Sequence, residues 1–378
     1  MSTQYPAVDP DGLLEYSVVF TDRALNHMSS SFQQVMRDIS TTLKQVYHAD
    51  AVAIVPGGGS YGMEAVARQL ATGQSCLVLR NGWFSYRWTQ IFEMGGIPSA
   101  CTVLKARPVA AGHQAAFAPA PLEDVIATIR AEKPALVFAP HVETASGIML
   151  PDDYLRAVAD AIHDVGGLFV LDCVASGTVW VDMKACGIDV LISAPQKGWS
   201  ASPSAALVML SAAGLARVQA TTSTSFAGDL KKWLQIMQAY ESGGHAYHAT
   251  LPTGALAGLR DAMQQAEATG FAALKEKQLE LGRRVREMFA AKGLKSVAAK
   301  GFEAPGVVVA YTSDDLVHNG RKFIELGLQT AAGVPLMCDE PADYKTFRIG
   351  LFGLDKLADV DGTVDHLEHA LTRILGTA

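Results

Sequence analysis

The 378-residue sequence is poor in paired cysteine: Cys76, Cys101, Cys173, Cys186 and Cys338 are odd in number and scattered. They form no CxxC pair and no cluster with histidine at zinc spacing, which argues against a disulfide scaffold or a structural metal site. Positive charge is also short, with 31 Lys and Arg against 38 Asp and Glu and a net charge of −7. The electrostatic footprint of a nucleic-acid or anionic-membrane binder is therefore missing. No stretch reaches the roughly 18 uncharged apolar residues of a membrane span. The opening Met1–Pro10 lacks the basic start and apolar run of a secretory signal, so a reducing cytoplasm is the expected address. No repeat of 20–50 residues stands out.

What is present is a chain that can bury a large core, 49% hydrophobic and 18% charged. Short β-branched apolar runs alternate with helical periods, the pattern of strands and crossover helices in an α/β sheet. Strands are predicted at Ala51–Val55, Cys76–Leu79, Ala135–Ala139, Leu168–Leu171, Val190–Ile192 and Ala205–Leu210. Between them, Met63, Val66, Ala67 and Leu70 share one helix face, as do Leu155, Val158, Ile162 and Val165 ahead of Gly166-Gly167. Ala110–Pro121, rich in Ala and Pro, is predicted to be a loop. After Pro252 long helical patterns take over, with short strands at Val307–Val309 and Phe347–Ile349 and a final amphipathic helix through Val360, Val364, Leu367, Leu371 and Ile374. The expected organisation is an N-terminal segment over 1–20, a large sheet domain over 21–255 and a smaller α+β domain over 256–378.

Three features could carry chemistry. Gly57-Gly58-Gly59-Ser60 lies between a strand and a helix, where free backbone N–H groups can hold a phosphate dianion. A glycine run alone is equally a tight βα turn, and this one has neither the Lys-Ser/Thr ending of a Walker loop nor a GxGxxG fingerprint. Asp172 ends an apolar strand at the carboxyl edge of the sheet, where α/β folds place ligands. Lys197 follows 25 residues later in the loop Ser193-Ala-Pro-Gln-Lys-Gly198. Together a phosphate turn, a strand-end Asp and a loop Lys are the parts needed to bind pyridoxal phosphate.

These residues stand in seven ordered motifs: Gly58-Gly-Ser-Tyr-Gly-Met-Glu-Ala65, Asn81-Gly-Trp-Phe-Ser85, His141-Val-Glu-Thr-Ala-Ser-Gly147, Leu171-Asp-Cys-Val-Ala-Ser176, Ser193-Ala-Pro-Gln-Lys197, Tyr247-His-Ala-Thr250 and Phe347-Arg-Ile-Gly350. In this order the chain resembles the class V aminotransferases of fold type I, nearest to the alanine/serine–glyoxylate aminotransferases, from about Val52 to Gly353. The resemblance implies an α/β fold with a large domain built on a mostly parallel, seven-stranded type of sheet and a smaller C-terminal α+β domain. It implies pyridoxal 5′-phosphate held by Lys197 as an internal aldimine, with Lys197 then moving the proton on the substrate. Asp172 would hold the ring nitrogen protonated and Phe84 would lie on the ring. Thr144 and Gln196 would position the ring hydroxyl side, Gly59 and Ser60 would hold the phosphate, and Gly58, Tyr61 and Val174 complete the implied cofactor set. Tyr247 and Thr250 would reach the phosphate of a neighbouring subunit, implying a homodimer with shared sites. Arg348 would bind the substrate carboxylate as a bidentate fork. The implied activity moves an amino group from a small amino acid, alanine or serine in type, to a small 2-oxo acid, glyoxylate or pyruvate in type.

The chain departs from the family pattern at Gly58, where Ser is frequent, at Ser60, where Thr or His is frequent, and at Asn26-His27-Met28, where many members have Gly-His-Arg. Arg87 is open between a structural or phosphate-side role and a second acidic group on the substrate. Cys338, ten residues before Arg348, raises the alternative of a cysteine desulfurase or β-eliminating lyase. A retired, cofactor-free enzyme fold would have lost Lys197 or Asp172, and both are present.

Overall fold

The protein is described by a computed structural model covering residues 8–376; the start of the expected 1–20 segment, residues 1–7, lies outside the described residues. Seven strands build the main sheet: β1 (Ala51–Pro56), β2 (Ser75–Arg80), β3 (Ala100–Lys105), β4 (Leu136–Pro140), β5 (Leu168–Asp172), β6 (Val190–Ser193) and β7 (Ala205–Leu210). Their spatial order is β1-β7-β6-β5-β4-β2-β3. Every pair is parallel except those made by β7, which runs antiparallel to β1 and to β6. The runs in β4, β6 and β7 are buried at every position, so they are continuously apolar rather than alternating, apart from the terminal Ser193, whose hydroxyl is paired with Tyr47. Each Val, Leu or Ile buried this way contributes roughly 1.5–3 kcal/mol before conformational entropy is counted.

Two elements carried weaker sequence signals. β3 forms an edge of the sheet with Ala100 and Cys101 exposed, so its pattern is mixed rather than continuously apolar. Helix α1 (Ser30–Tyr47) starts where the Ser29 hydroxyl accepts the Phe32 N–H at 3.1 Å, and it buries Phe32, Val35, Met36, Ile39 and Leu43 on one face.

Helices α2 (Gly59–Val66), α3 (Trp83–Gly95) and α4 (Asp152–Asp164) follow strands of the main sheet. Beyond α5 (Thr253–Thr269) and α6 (Phe271–Ala291), a three-stranded antiparallel sheet takes the order β8 (Val307–Tyr311), β10 (Thr346–Gly350), β9 (Ala331–Ala332). It shares a second core with α6 and α7 (Val360–Leu375), made by Leu274, Val285, Val308, Phe347 and Leu371. The passage between the two cores is helical: Leu256, Leu259 and Met263 of α5 belong to the first, Ala266 to the second.

The strand order positions the site. From β2 the chain moves outward to β3, whereas from β4 it moves the other way to β5 and β6. Such a reversal leaves a crevice at the carboxyl ends of the strands. The segments after Pro56, Arg80, Pro140, Asp172 and Ser193 all emerge at that edge.

Candidate active site

A cavity of about 200 Å³ opens at this edge. Its first wall is the start of α2. The Tyr61 and Gly62 amides bond back to the Gly58 carbonyl, so the N–H groups of Gly59 and Ser60 precede the first intrahelical bond. Gly59 is dictated by packing, since a Cβ there would sit 2.6 Å from Val174 Cγ2 just beyond β5. That close approach brings the phosphate-type turn against the strand that ends in Asp172.

Asp172 is buried, and Oδ1 accepts the Val174 N–H at 2.9 Å. Burial pushes its carboxyl up to about 6, with the nearby Glu143 charge adding to the rise while Arg87 and Lys197 oppose it. It has no ion-pair partner among the described residues. Lys197 lies half-buried in the loop after β6, its Nζ 5.0 Å from the Phe352 ring centre. Burial holds its amine below the usual lysine range, and the positive Arg348 and Arg87 outweigh Asp172 in the same direction. An amine whose proton is held less tightly is better suited to act as a nucleophile and a base.

Phe84 enters from the first turn of α3. Two guanidiniums approach its ring, Arg87 at 5.3 Å and Arg348 at 5.5 Å from the centroid. Arg348 projects from β10 and donates Nε–H to the Ala332 carbonyl at 2.8 Å. Its two Nη groups make no hydrogen bond among the described residues. Burial holds this guanidinium below its ordinary value, offset by Glu143 and Tyr344.

The residue that holds these parts in place is Glu143, which the sequence reading quoted in a motif and assigned no role. Its carboxylate is wholly buried and accepts the Phe84 N–H at 3.2 Å, the Ser85 N–H at 2.8 Å, the Ser85 hydroxyl at 2.7 Å and the Ala145 N–H at 3.0 Å. A Cβ on Gly82 would collide with it at 2.7 Å. An acid four residues past a strand, within a His-x-Glu-Thr run, was the only available signal.

The structure thus brings Gly59, Ser60, Phe84, Thr144, Asp172, Val174, Gln196 and Lys197 to one cavity, with Arg87 among them. Arg348 stands beside Phe84 at its margin. Gly58 precedes the lining residues, and the Tyr61 ring covers Gly57 and is 64% exposed. Tyr247 and Thr250 lie outside this chain's cavity, their hydroxyls 3.2 Å apart on an exposed loop. Cys338 is a different matter. It is 3% exposed, its Sγ–H faces the Arg80 carbonyl at 3.4 Å, and burial pushes the thiol up to about 12. A buried, protonated thiol outside the cavity is no mobile nucleophile, so the desulfurase alternative loses its support.

The family described as Aminotransferase class-V matches residues 12–310. The chain belongs to this family. The alanine–glyoxylate aminotransferase of Rattus norvegicus is 26% identical over 365 residues, 92% of this chain and 82% of that protein. A protein of Synechococcus sp. (strain PCC 6716) named soluble hydrogenase, small subunit, is 24% identical over 93% of this chain and 88% of its own length. The solved alanine–glyoxylate aminotransferase of Nostoc sp. shares the fold with a TM-score of 0.74 at 22% identity, covering 92% of this chain and 89% of the other. No helix among the described residues is long and apolar enough to cross a membrane.

Class V aminotransferases use pyridoxal 5′-phosphate, and the residues present fit that group. Asp172 is a buried acid with no ion-pair partner among the described residues, Lys197 a half-buried amine without a hydrogen-bonded partner among them, and Gly59 a close approach at a helix N-terminus. Phe84 supplies an aromatic face in the same cavity.

Proposed function

We propose that this class V aminotransferase transfers the amino group of a small amino acid, alanine or serine in type, to a small 2-oxo acid, glyoxylate or pyruvate in type. The observation that carries the reading is the convergence of Lys197, Asp172 and Arg348 around Phe84, with the open Nη groups of Arg348 able to take a single α-carboxylate. Bound pyridoxal phosphate would supply a sink for the electron pair left when the Cα–H bond breaks. Lys197 would hold the group covalently and, once released, its Nζ would take the Cα proton and return it on the other side of the transfer. Asp172 would keep a proton on the ring nitrogen by supplying a fixed negative charge. Arg348 would orient the substrate by gripping its carboxylate. Thr144 and Gln196 would steady the ring hydroxyl side, while Gly59 and Ser60 would hold the phosphate.

The working unit in this reading is a homodimer, with Tyr247 and Thr250 of each chain reaching the other's phosphate. Their absence from their own cavity supports that assignment. The cytoplasm is the proposed address, supported by five unpaired cysteines.

The test is a half-reaction screen of the holoenzyme against amino acids, including aspartate, aminoethylphosphonate and simple amines, reading loss of the bound cofactor's visible absorption. Alanine or serine should react fastest. Borohydride reduction and peptide mapping of the resting enzyme should place the pyridoxyl label on Lys197. A label elsewhere, or preference for an amine without a carboxylate, would overturn the proposal.

A further inference from the structure

The phosphate-type turn is short of side-chain donors in this chain. Position 58 is glycine, and not for steric reasons: its φ is 178°, extended backbone open to any residue, and a Cβ there would touch nothing within 4 Å. A helix N-terminus offers the equivalent of about half a positive charge, whereas a phosphate monoester carries close to two negative ones. Something else must supply the balance.

We propose that Arg87 is the cation of the phosphate subsite and replaces the contact that Gly58 cannot make. Its Nη1 donates to the Ser60 hydroxyl at 2.7 Å, in the first turn of α2. A hydroxyl has one hydrogen and two lone pairs, so with Arg87 as donor the Ser60 hydrogen remains free to point at an anion. Arg87 and Ser60 line the same cavity, and the guanidinium is braced against the Phe84 ring. No carboxylate pairs with Arg87 among the described residues, whereas Arg68, one helix away, is tied to Glu64. Arg87 is one helical turn beyond Phe84, so the carboxylate of Glu143 at the start of α3 sets both side chains at once. Arg348 takes the opposite duty. Its Nε is held by the Ala332 carbonyl of the small sheet, on an element remote from α2. Two arginines on one ring thereby serve two different anions, the cofactor phosphate and the substrate carboxylate.

This inference rests on the pyridoxal phosphate reading, and the experiment separates the two. Apo-protein, parent and variants, is titrated with pyridoxal phosphate and with pyridoxal, which lacks the phosphate, following absorption and tryptophan fluorescence. Inorganic phosphate is added as a competitor. Arg87→Gln keeps length and packing without charge, and Arg87→Lys keeps charge without the fork. The expected result is a tenfold or greater loss of pyridoxal phosphate affinity in Arg87→Gln, with pyridoxal affinity within twofold of the parent and a weakened effect of inorganic phosphate. Arg87→Lys should recover part of the loss. Unchanged pyridoxal phosphate affinity in Arg87→Gln overturns the proposal, and so does an equal loss for both ligands, which would make Arg87 only a brace for Phe84. A raised Michaelis constant for aspartate or aminoethylphosphonate with cofactor affinity intact overturns it as well, making Arg87 a substrate residue. If Arg87→Gln does not fold, the Arg87→Lys titration decides by the same two ligand ratios. A parent that binds neither ligand defeats the cofactor reading itself.

Discussion

Asp172 is a carboxyl placed where the fold gains nothing from its charge. Its pKa in the folded chain, about 6, lies above the ordinary 3.8, so folding favours the protonated form. The stability this contributes, about 3 kcal/mol, is complete below the unfolded value and is lost as pH rises through about 6. Apo Asp172→Asn should therefore melt higher than the apo parent at pH 8, with the gap closing toward pH 4. An unchanging gap across that range would contradict the assignment. In the holoenzyme the same substitution should lower turnover by two powers of ten or more, roughly 2.7 kcal/mol of transition-state stabilisation, because an amide cannot hold the proton on the ring nitrogen. Arg348 gives the complementary prediction. Arg348→Ala should raise the half-saturating concentration of alanine or serine and lower the rate, leave the bound cofactor's spectrum intact, and affect a simple primary amine far less. Equal handling of alanine by mutant and parent would reduce Arg348 to a structural role.

At the scale of elements, α3 is placed by an acid from a different part of the chain. Glu143 accepts from its first turn and from its own loop, so one carboxylate fixes Phe84, Arg87 and the neighbouring Thr144 together. A carboxylate also complements the positive end of the helix. Glu143→Gln keeps the shape but turns an NH₂ group either toward the Phe84 and Ala145 N–H donors or toward the Ser85 N–H and hydroxyl, leaving buried groups unmatched at about 1–3 kcal/mol. The variant should melt several degrees lower, bind pyridoxal phosphate more weakly and show altered near-ultraviolet circular dichroism from the Phe84 segment. Glu143→Asp, retaining charge with a shorter reach, should recover part of each. A Glu143→Gln protein with parental melting and cofactor affinity would show that α3 is seated by other contacts.

For the whole molecule, the proposed homodimer would cover Tyr61 and Tyr247, whose large rings are 64% and 55% exposed in the single chain. Mixing an inactive Lys197→Ala chain with an inactive Tyr247/Thr250 double mutant should regenerate activity once subunits exchange, because each hybrid can hold one complete site. Exchange verified by mass spectrometry without recovered activity would count against shared sites. Activity in the double mutant alone would remove the premise.

The sequence by itself determined the main-sheet strands that are buried on both faces, because an element hidden from water on every side must carry an unbroken apolar run, as in β4, β7 and Val190–Ile192 of β6. It also placed Asp172 at a strand end and Lys197 in the loop that follows one, since the strand and its exit are local and the exit faces the carboxyl edge. The edge strand β3 and the helix α1 were not read from it. In β3 the cause is partial exposure, which breaks the apolar run. Only the tertiary structure decided which distant side chains meet. Glu143 reaches Ser85 from 58 residues away, Arg348 reaches the Phe84 ring from the second core, and Arg87 turns to Ser60 of another helix. The same long-range packing buried Cys338 and removed it as a nucleophile. Periodicity reports how a segment bonds to itself and which face it hides. Partners across the fold are chosen by strand order and by the burial that makes an unpaired charge costly, and neither is written in any one stretch of the chain.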